Sequence, residues 1–134
     1  MRLEVEKSAP VDNPSPAVLR KAISKLRSYG PTSYASLTDA SGNYLQVAGG
    51  GVTCSLERRD AVNRRHYRAH LTAPSKVFPD GTLLVFSGGE IKLQADEWLM
   101  SALVEDAFLA FMDDKPFPEA IRWREMSAMF EDLR

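Results

Sequence analysis

Hydrophobic positions change period along the chain, and each change marks a predicted element. "MRLEVEKSAPVDNPSP" alternates Leu3 and Val5 with charge until Pro10, Pro14 and Pro16 break the run, which predicts a short edge strand or a loose arm over residues 1–14. Ser15 then offers a cap and Pro16 suits a first helical position, while Val18, Leu19, Ala22, Ile23 and Leu26 recur at helical spacing up to Gly30 and Pro31. A helix is predicted there, with Arg20, Lys21, Lys25 and Arg27 on its solvated side. "TSYASLTDASGNYLQVAGGGVTCSLERRD" predicts strand, turn, strand, turn, strand, with the turns at 39–43 and at Gly49, Gly50 and Gly51. A phosphate loop would carry such glycines into a helix, with Lys and Ser or Thr behind them; a strand follows here, so the triplet predicts a hairpin.

"HYRAHL" alternates as a half-solvated strand, with His66, Arg68 and His70 on one face and Tyr67, Ala69 and Leu71 on the other. Beyond "APSKVFPDG", segments 82–86 and 90–93 flank "SGG" as another hairpin, and "LLVF" is the best candidate for a fully covered strand. Asp96 is positioned to cap a second helix whose apolar residues Leu99, Met100, Leu103, Val104, Ala107 and Phe111 form one wide face that should lie across the sheet. At about 100° per residue, Trp98, Glu105, Leu109 and Met112 gather on the opposite side, with Asp106 at the margin. Either the N-terminal arm or the last residues cover that side, or it is a partner-binding surface of aromatic and flexible apolar anchors ringed by carboxylates.

"FMDDKPFPEAIRW" reads as a chain reversal. Asp113 and Asp114 end the helix, and Pro116 and Pro118 forbid its continuation. Neighbouring carboxylates at a helix end point into water and do not converge as an acid–base pair. Ile121 and Trp123 alternate with Arg122 and Arg124 as a late strand, and "REMSAMFEDL" suggests a short closing helix. The pattern predicts an α+β fold forming a single domain over residues 1–134. Its core is a mainly antiparallel sheet of about five to seven strands, carrying an N-terminal helix, a longer late helix and a short C-terminal helix.

Composition narrows the chemistry. At 134 residues, 44 % hydrophobic and 26 % charged, the chain can close a core without staples. Cys54 is the only cysteine, which rules out an internal disulfide and a cysteine-based metal cluster. His66 and His70 share a strand face, but no adjacent acid or cysteine completes a site, so neither metal nor cofactor is expected. No apolar stretch approaches the roughly 20 residues of a membrane span. Met1 to Pro10 lacks a secretory pattern, which points to a cytoplasmic protein away from membranes. Residues 1–89 hold 12 Lys+Arg against 7 Asp+Glu, whereas residues 90–134 hold 5 against 11. An acidic last third repels nucleic acid and attracts a basic protein.

Phe111, Pro118, Ile121 and Trp123, the last three spaced as P-x-x-I-x-W, follow Leu37, Gly42, Leu45 and Val47 of "SLTDASGNYLQV". In these positions the chain resembles a family of small immunity proteins of bacterial polymorphic toxin systems, over roughly residues 33 to 123. The resemblance implies binding without catalysis, by sequestration of a cognate toxin domain; family toxins include enzymes that attack nucleic acid through basic grooves. The family motif is scaffold and assigns no contact residue. From charge and helix phase, Glu105, Asp106, Asp113 and Asp114 suit phosphate positions in such a groove, with Trp98 or Leu109 as a desolvated anchor. Two features depart from the family pattern: the basic cluster of Arg58, Arg59, Arg64, Arg65 and Arg68 with His66 and His70, and the tail after Trp123.

Two other classes stay open. A small enzyme or ligand-binding domain would use a pocket between the sheet and the Asp96 helix, with Cys54, His66, His70 and Tyr67 as its chemical groups. A nucleic-acid module would use the arginine cluster with Tyr67 as a stacking ring. The favoured reading is not an enzyme.

Overall fold

A computed structural model describes residues 1–126 of the chain. Its frame is an antiparallel sheet of seven strands: β1 (Arg2–Val5), β2 (Val11–Asp12), β3 (Tyr34–Thr38), β4 (Tyr44–Gly50), β5 (Thr53–Asp60), β6 (Arg65–His70) and β9 (Arg122–Glu125), in the order β2-β1-β3-β4-β5-β6-β9. A separate two-stranded hairpin joins β7 (Thr82–Phe86) to β8 (Gly89–Leu93). The fold is α+β and forms a single domain. Helices α1 (Pro16–Ser24) and α2 (Ser101–Met112) complete it. The predicted closing helix, residues 124–133, begins inside β9, where Arg124 and Glu125 are strand, and from residue 127 onward it lies outside the described residues.

Register assigns every side chain to a face. Ala35 pairs with Val47, Leu37 with Leu45, and Val47 in turn with Leu56, so these apolar residues share one face and bury completely against Leu19, Ile23, Val104, Ala107 and Phe108 of the helices. The chain start is no loose arm: β1 pairs on both sides, and only the two-residue β2 is left at that edge.

Ser15 caps α1 by accepting the Val18 amide at 3.2 Å, and Pro16 opens the helix, as the sequence suggested. The helix stops at Ser24, short of Gly30, because the Arg27 side chain donates to the Ser24 and Leu26 carbonyls and the Leu26 backbone is pressed onto β4. At that crossing a Cβ on Gly50 would lie 1.9 Å from the Leu26 carbonyl oxygen, so only glycine lets the two backbones meet. The glycine triplet is a packing and turn device, with β5 following it.

The second helix departs furthest from expectation. Asp96 lies in a single 3-10 turn, Ala95–Glu97, and does not cap α2. Trp98 is extended, and Leu99 exchanges backbone hydrogen bonds with Cys54 at 2.9 and 3.0 Å before α2 begins at Ser101. The short strand-like bridge swings Trp98 to the sheet's other face. There it stacks on Phe78, with ring centres 4.3 Å apart, in a second apolar cluster with Ala48, Leu84 and Leu93. The β7–β8 hairpin roofs that cluster with one side only: Leu84 is 3 % exposed, whereas Leu83 is 46 % and Val85 58 % exposed. "LLVF" is therefore a half-covered strand, not a fully covered one.

Candidate functional site

The 113–118 reversal is built by backbone geometry. Lys115 donates its amide to the Ala110 carbonyl at 2.8 Å and Asp114 to that of Phe111 at 3.3 Å, the paired bonds that close a helix through one left-handed residue. That residue is Asp114, at φ +54°, in a position glycine normally fills. Prolines 116 and 118 carry the chain away, Ile121 buries in the helix-side core, and Phe117 meets Trp123 edge-on at 5.0 Å.

The turn separates two concavities. One, of about 270 Å³, is lined by Arg20, Asp106, Leu109, Asp113, Pro116 and Pro118. The other, of about 450 Å³, contains Asp114, Phe111 and Phe117 together with Arg58, Arg59 and Asp60 at the sheet end, and Lys115 borders both. Asp106, Asp113, Asp114, Lys115 and Pro116 are exposed.

The proposed contact residues thus divide. Asp106, Leu109 and Asp113 share the smaller groove, and Asp114 turns into the larger one. Glu105 and Asp106 both reach Arg20 of α1 at 3.5 Å, so the outer side of α2 is partly covered by α1. Leu109 and Met112 pack partly against the main core. Trp98 is 8 % exposed and belongs to the hairpin cluster on the opposite sheet face, so it stands apart from the other five and cannot act as a surface anchor beside them. The helix phase that grouped it with Glu105 assumed a helix starting at Asp96.

The "HYRAHL" face predicted to be half solvated is covered. His66 is 2 % and Arg68 9 % exposed. Glu57 accepts from His66 Nε2 at 2.6 Å and from Arg68 at 3.3 Å. Arg68 also reaches Glu97 at 3.4 Å, and Arg124 holds Glu97 at 2.8 Å and Asp96 at 3.0 Å, with His70 Nδ1 3.6 Å from Asp96. Burial alone would raise the Glu57 pKa, but His66 and Arg68 overcome it and hold the carboxyl below the usual range; the Arg124 hydrogen bond does the same for Asp96. This chain of ion pairs joins β5, β6, β9 and the 3-10 turn beneath the hairpin and sets each cation against a carboxylate, with the Arg68 Nε left buried without an acceptor.

The groups an enzyme would need do not converge. Cys54 and Tyr67 lie on the helix side of the sheet, His66 and His70 on the hairpin side. Burial pushes the Cys54 thiol up to about 12, which keeps it protonated and non-nucleophilic. The predicted sheet–helix pocket is filled by Leu45, Val47, Leu56, Val104 and Phe108. The arginine cluster disperses as well: Arg68 enters the ion chain, Arg65 pairs with Glu125 at 2.6 Å, and Arg58 turns to the helix side among aromatic rings. Among the described residues no helix is long and apolar enough to cross a membrane.

No protein-family model matches the chain, and no curated protein matches it. Sequence reasoning proposes no contact role for Arg20, Lys115 or Phe117, and it places Arg58 only in the basic cluster considered for nucleic acid. Phe117 and Lys115 sat inside the quoted reversal, but nothing in the spacing signals that Arg58, far away in the chain, shares their concavity.

Proposed function

We propose that this protein is an immunity protein that binds a cognate bacterial toxin domain, one that attacks nucleic acid, and neutralises it by occupancy without catalysis. The contact surface is the C-terminal half of α2 with the 113–118 turn, presenting Asp106, Leu109, Asp113 and Asp114 and not Trp98. The observation that carries the reading is the turn itself. A carboxylate is kept at a left-handed position where glycine would be unstrained, at the tip of a surface with exposed acids on a proline-stiffened loop. Such a loop loses little freedom on binding, and acids on its rim steer a basic partner. The resemblance to small immunity proteins adds support, since Phe111, Pro118, Ile121 and Trp123 frame this same turn.

The test is co-expression with the polypeptides encoded beside this chain's gene, scoring survival and then co-purification. A rescuing partner is next titrated against Asp106→Arg with Asp113→Arg. Expected is at least about tenfold weaker binding, with the thermal midpoint lowered only slightly by loss of the exposed Arg20–Asp106 pair. Rescue and complex formation with undiminished affinity in the double variant would move the interface elsewhere, and death with no complex would remove the immunity reading.

A further inference from the structure

Arg58 leaves β5 on the helix-covered face, with Tyr67 as its cross-strand neighbour. Its guanidinium carbon lies 4.2 Å from the centre of the Tyr67 ring, 4.9 Å from Trp123 and 5.7 Å from Phe117. Among the described residues no carboxylate forms an ion pair with it, and its Nε is buried without an acceptor. Burial of the cation lowers its pKa from the ordinary arginine value. The rings return part of the lost solvation by cation–π attraction, yet a ring face offers no conventional hydrogen-bond acceptor, so the guanidinium keeps donor capacity unfilled.

Arg58 lines the 450 Å³ concavity at the sheet end. Two of the three carboxylates on its wall are engaged locally, while the third, Asp114, forms no ion pair among the described residues. Asp39 accepts the Ser41 and Asn43 amides at 2.8 and 3.0 Å, and Asp60 accepts the amide and side chain of Asn63 at 3.1 and 2.8 Å. Arg59 and Lys115 line the same wall and form no ion pair among the described residues. Ala110, Phe111 and Phe117 give it an apolar side.

We infer that this concavity is a binding site for a carboxylate carried on an apolar body, with Arg58 as its receptor and Phe111 and Phe117 against the body. A planar guanidinium takes both oxygens of one carboxylate, and a half-buried guanidinium held by rings has less solvation and freedom left to lose on binding. Asp39, Asp60 and Asp114 on the wall disfavour a compact multiply charged anion such as phosphate, whereas a delocalised monoanion matches a single fork. The same chemistry is offered by a free organic acid and by the C-terminal carboxylate of a peptide. The inference does not depend on the toxin reading.

Calorimetric titration of the intact protein separates these sources, using phenylpropionate, its primary amide, inorganic phosphate, and an acetylated tripeptide ending in Phe with free or amidated terminus. Saturable binding of an acid is expected, with the amides and phosphate at least about tenfold weaker, the worth of one hydrogen bond to a charged group. Binding of the tripeptide acid alone identifies a chain terminus; binding of phenylpropionate identifies a small organic acid. Arg58→Gln and Arg58→Lys should each weaken the acid by at least about tenfold. The lysine variant keeps the charge among the rings but not the fork, so it carries the test if the glutamine variant folds poorly. Equal binding of phosphate or amide, undiminished binding by a folded Arg58 variant, or no saturation by either acid up to about 10 mM would overturn the site.

Discussion

Asp114 shows how much a single dihedral angle decides. A left-handed L-residue costs roughly 1–2 kcal/mol, less for aspartate, whose short side chain bonds locally. Asp114→Gly should therefore raise stability by about 0.5–1 kcal/mol, read as a higher urea midpoint at unchanged slope. Asp114→Ala, which removes the carboxylate but keeps the strain, should give no gain. A loss of stability in the glycine variant would mean that the aspartate side chain itself holds the turn. The sequence marks both aspartates as the helix end, but not that the left-handed step between them sends Asp113 into one groove and Asp114 into the other. Arg58 was equally hidden. Its membership of a basic run is legible, but strand alternation splits that run between two faces, and only the fold brings Phe117 and Trp123 to it.

Elements defined by pattern alone survived where local and tertiary preferences agree. Ser15 and Pro16 open α1, the 39–43 turn joins β3 to β4, and apolar alternation in β3 to β5 marks the helix-facing side. They failed where a tertiary contact outweighed a local signal. Asp96 has the chemistry of a cap, but its carboxylate is held by Arg124, and the Leu99 bridge to Cys54 delays α2 to Ser101. This two-residue extension converts Trp98 from a predicted contact into the pillar beneath the β7–β8 hairpin. Trp98→Ala should accordingly cost about 3–5 kcal/mol, the range for emptying a large aromatic site. Hydrogen exchange should quicken first in β7 and β8, while partner binding per folded molecule stays unchanged. A variant of near-native stability that bound its partner poorly would return Trp98 to the surface role first assigned to it.

Across the whole molecule, the acidic last third meets the basic remainder within the chain itself. Of its acids, Glu97 pairs with Arg68, Glu105 and Asp106 with Arg20, and Glu125 with Arg65, while Asp96 and Glu97 also pair with Arg124 inside the same third. Glu90, Asp113, Asp114 and Glu119 form no ion pair among the described residues. Charge asymmetry along the sequence therefore reports fold closure more than partner choice, and the acids left for a partner concentrate at the 113–119 turn. Closure of this kind has a pH signature. The Arg124 hydrogen bond holds Asp96 below its ordinary 3.8, His66 and Arg68 outweigh burial to hold Glu57 below 4.5, and Ser87 and Ser33 donate to Glu6 and hold it below 4.5 as well. A carboxyl depressed in the folded state binds its proton more readily when unfolded, so its stabilisation is complete above the unfolded pKa and disappears as pH falls through the folded one. Thermal midpoints should thus be level from about pH 7 to about pH 5 and fall steeply below about pH 4.5. Asp96→Asn should start lower at neutral pH, because Arg124 loses its carboxylate, and decline less in acid because one linked proton is gone. An acid limb equally steep in that variant would show that the Asp96–Arg124 pair does not couple protonation to folding.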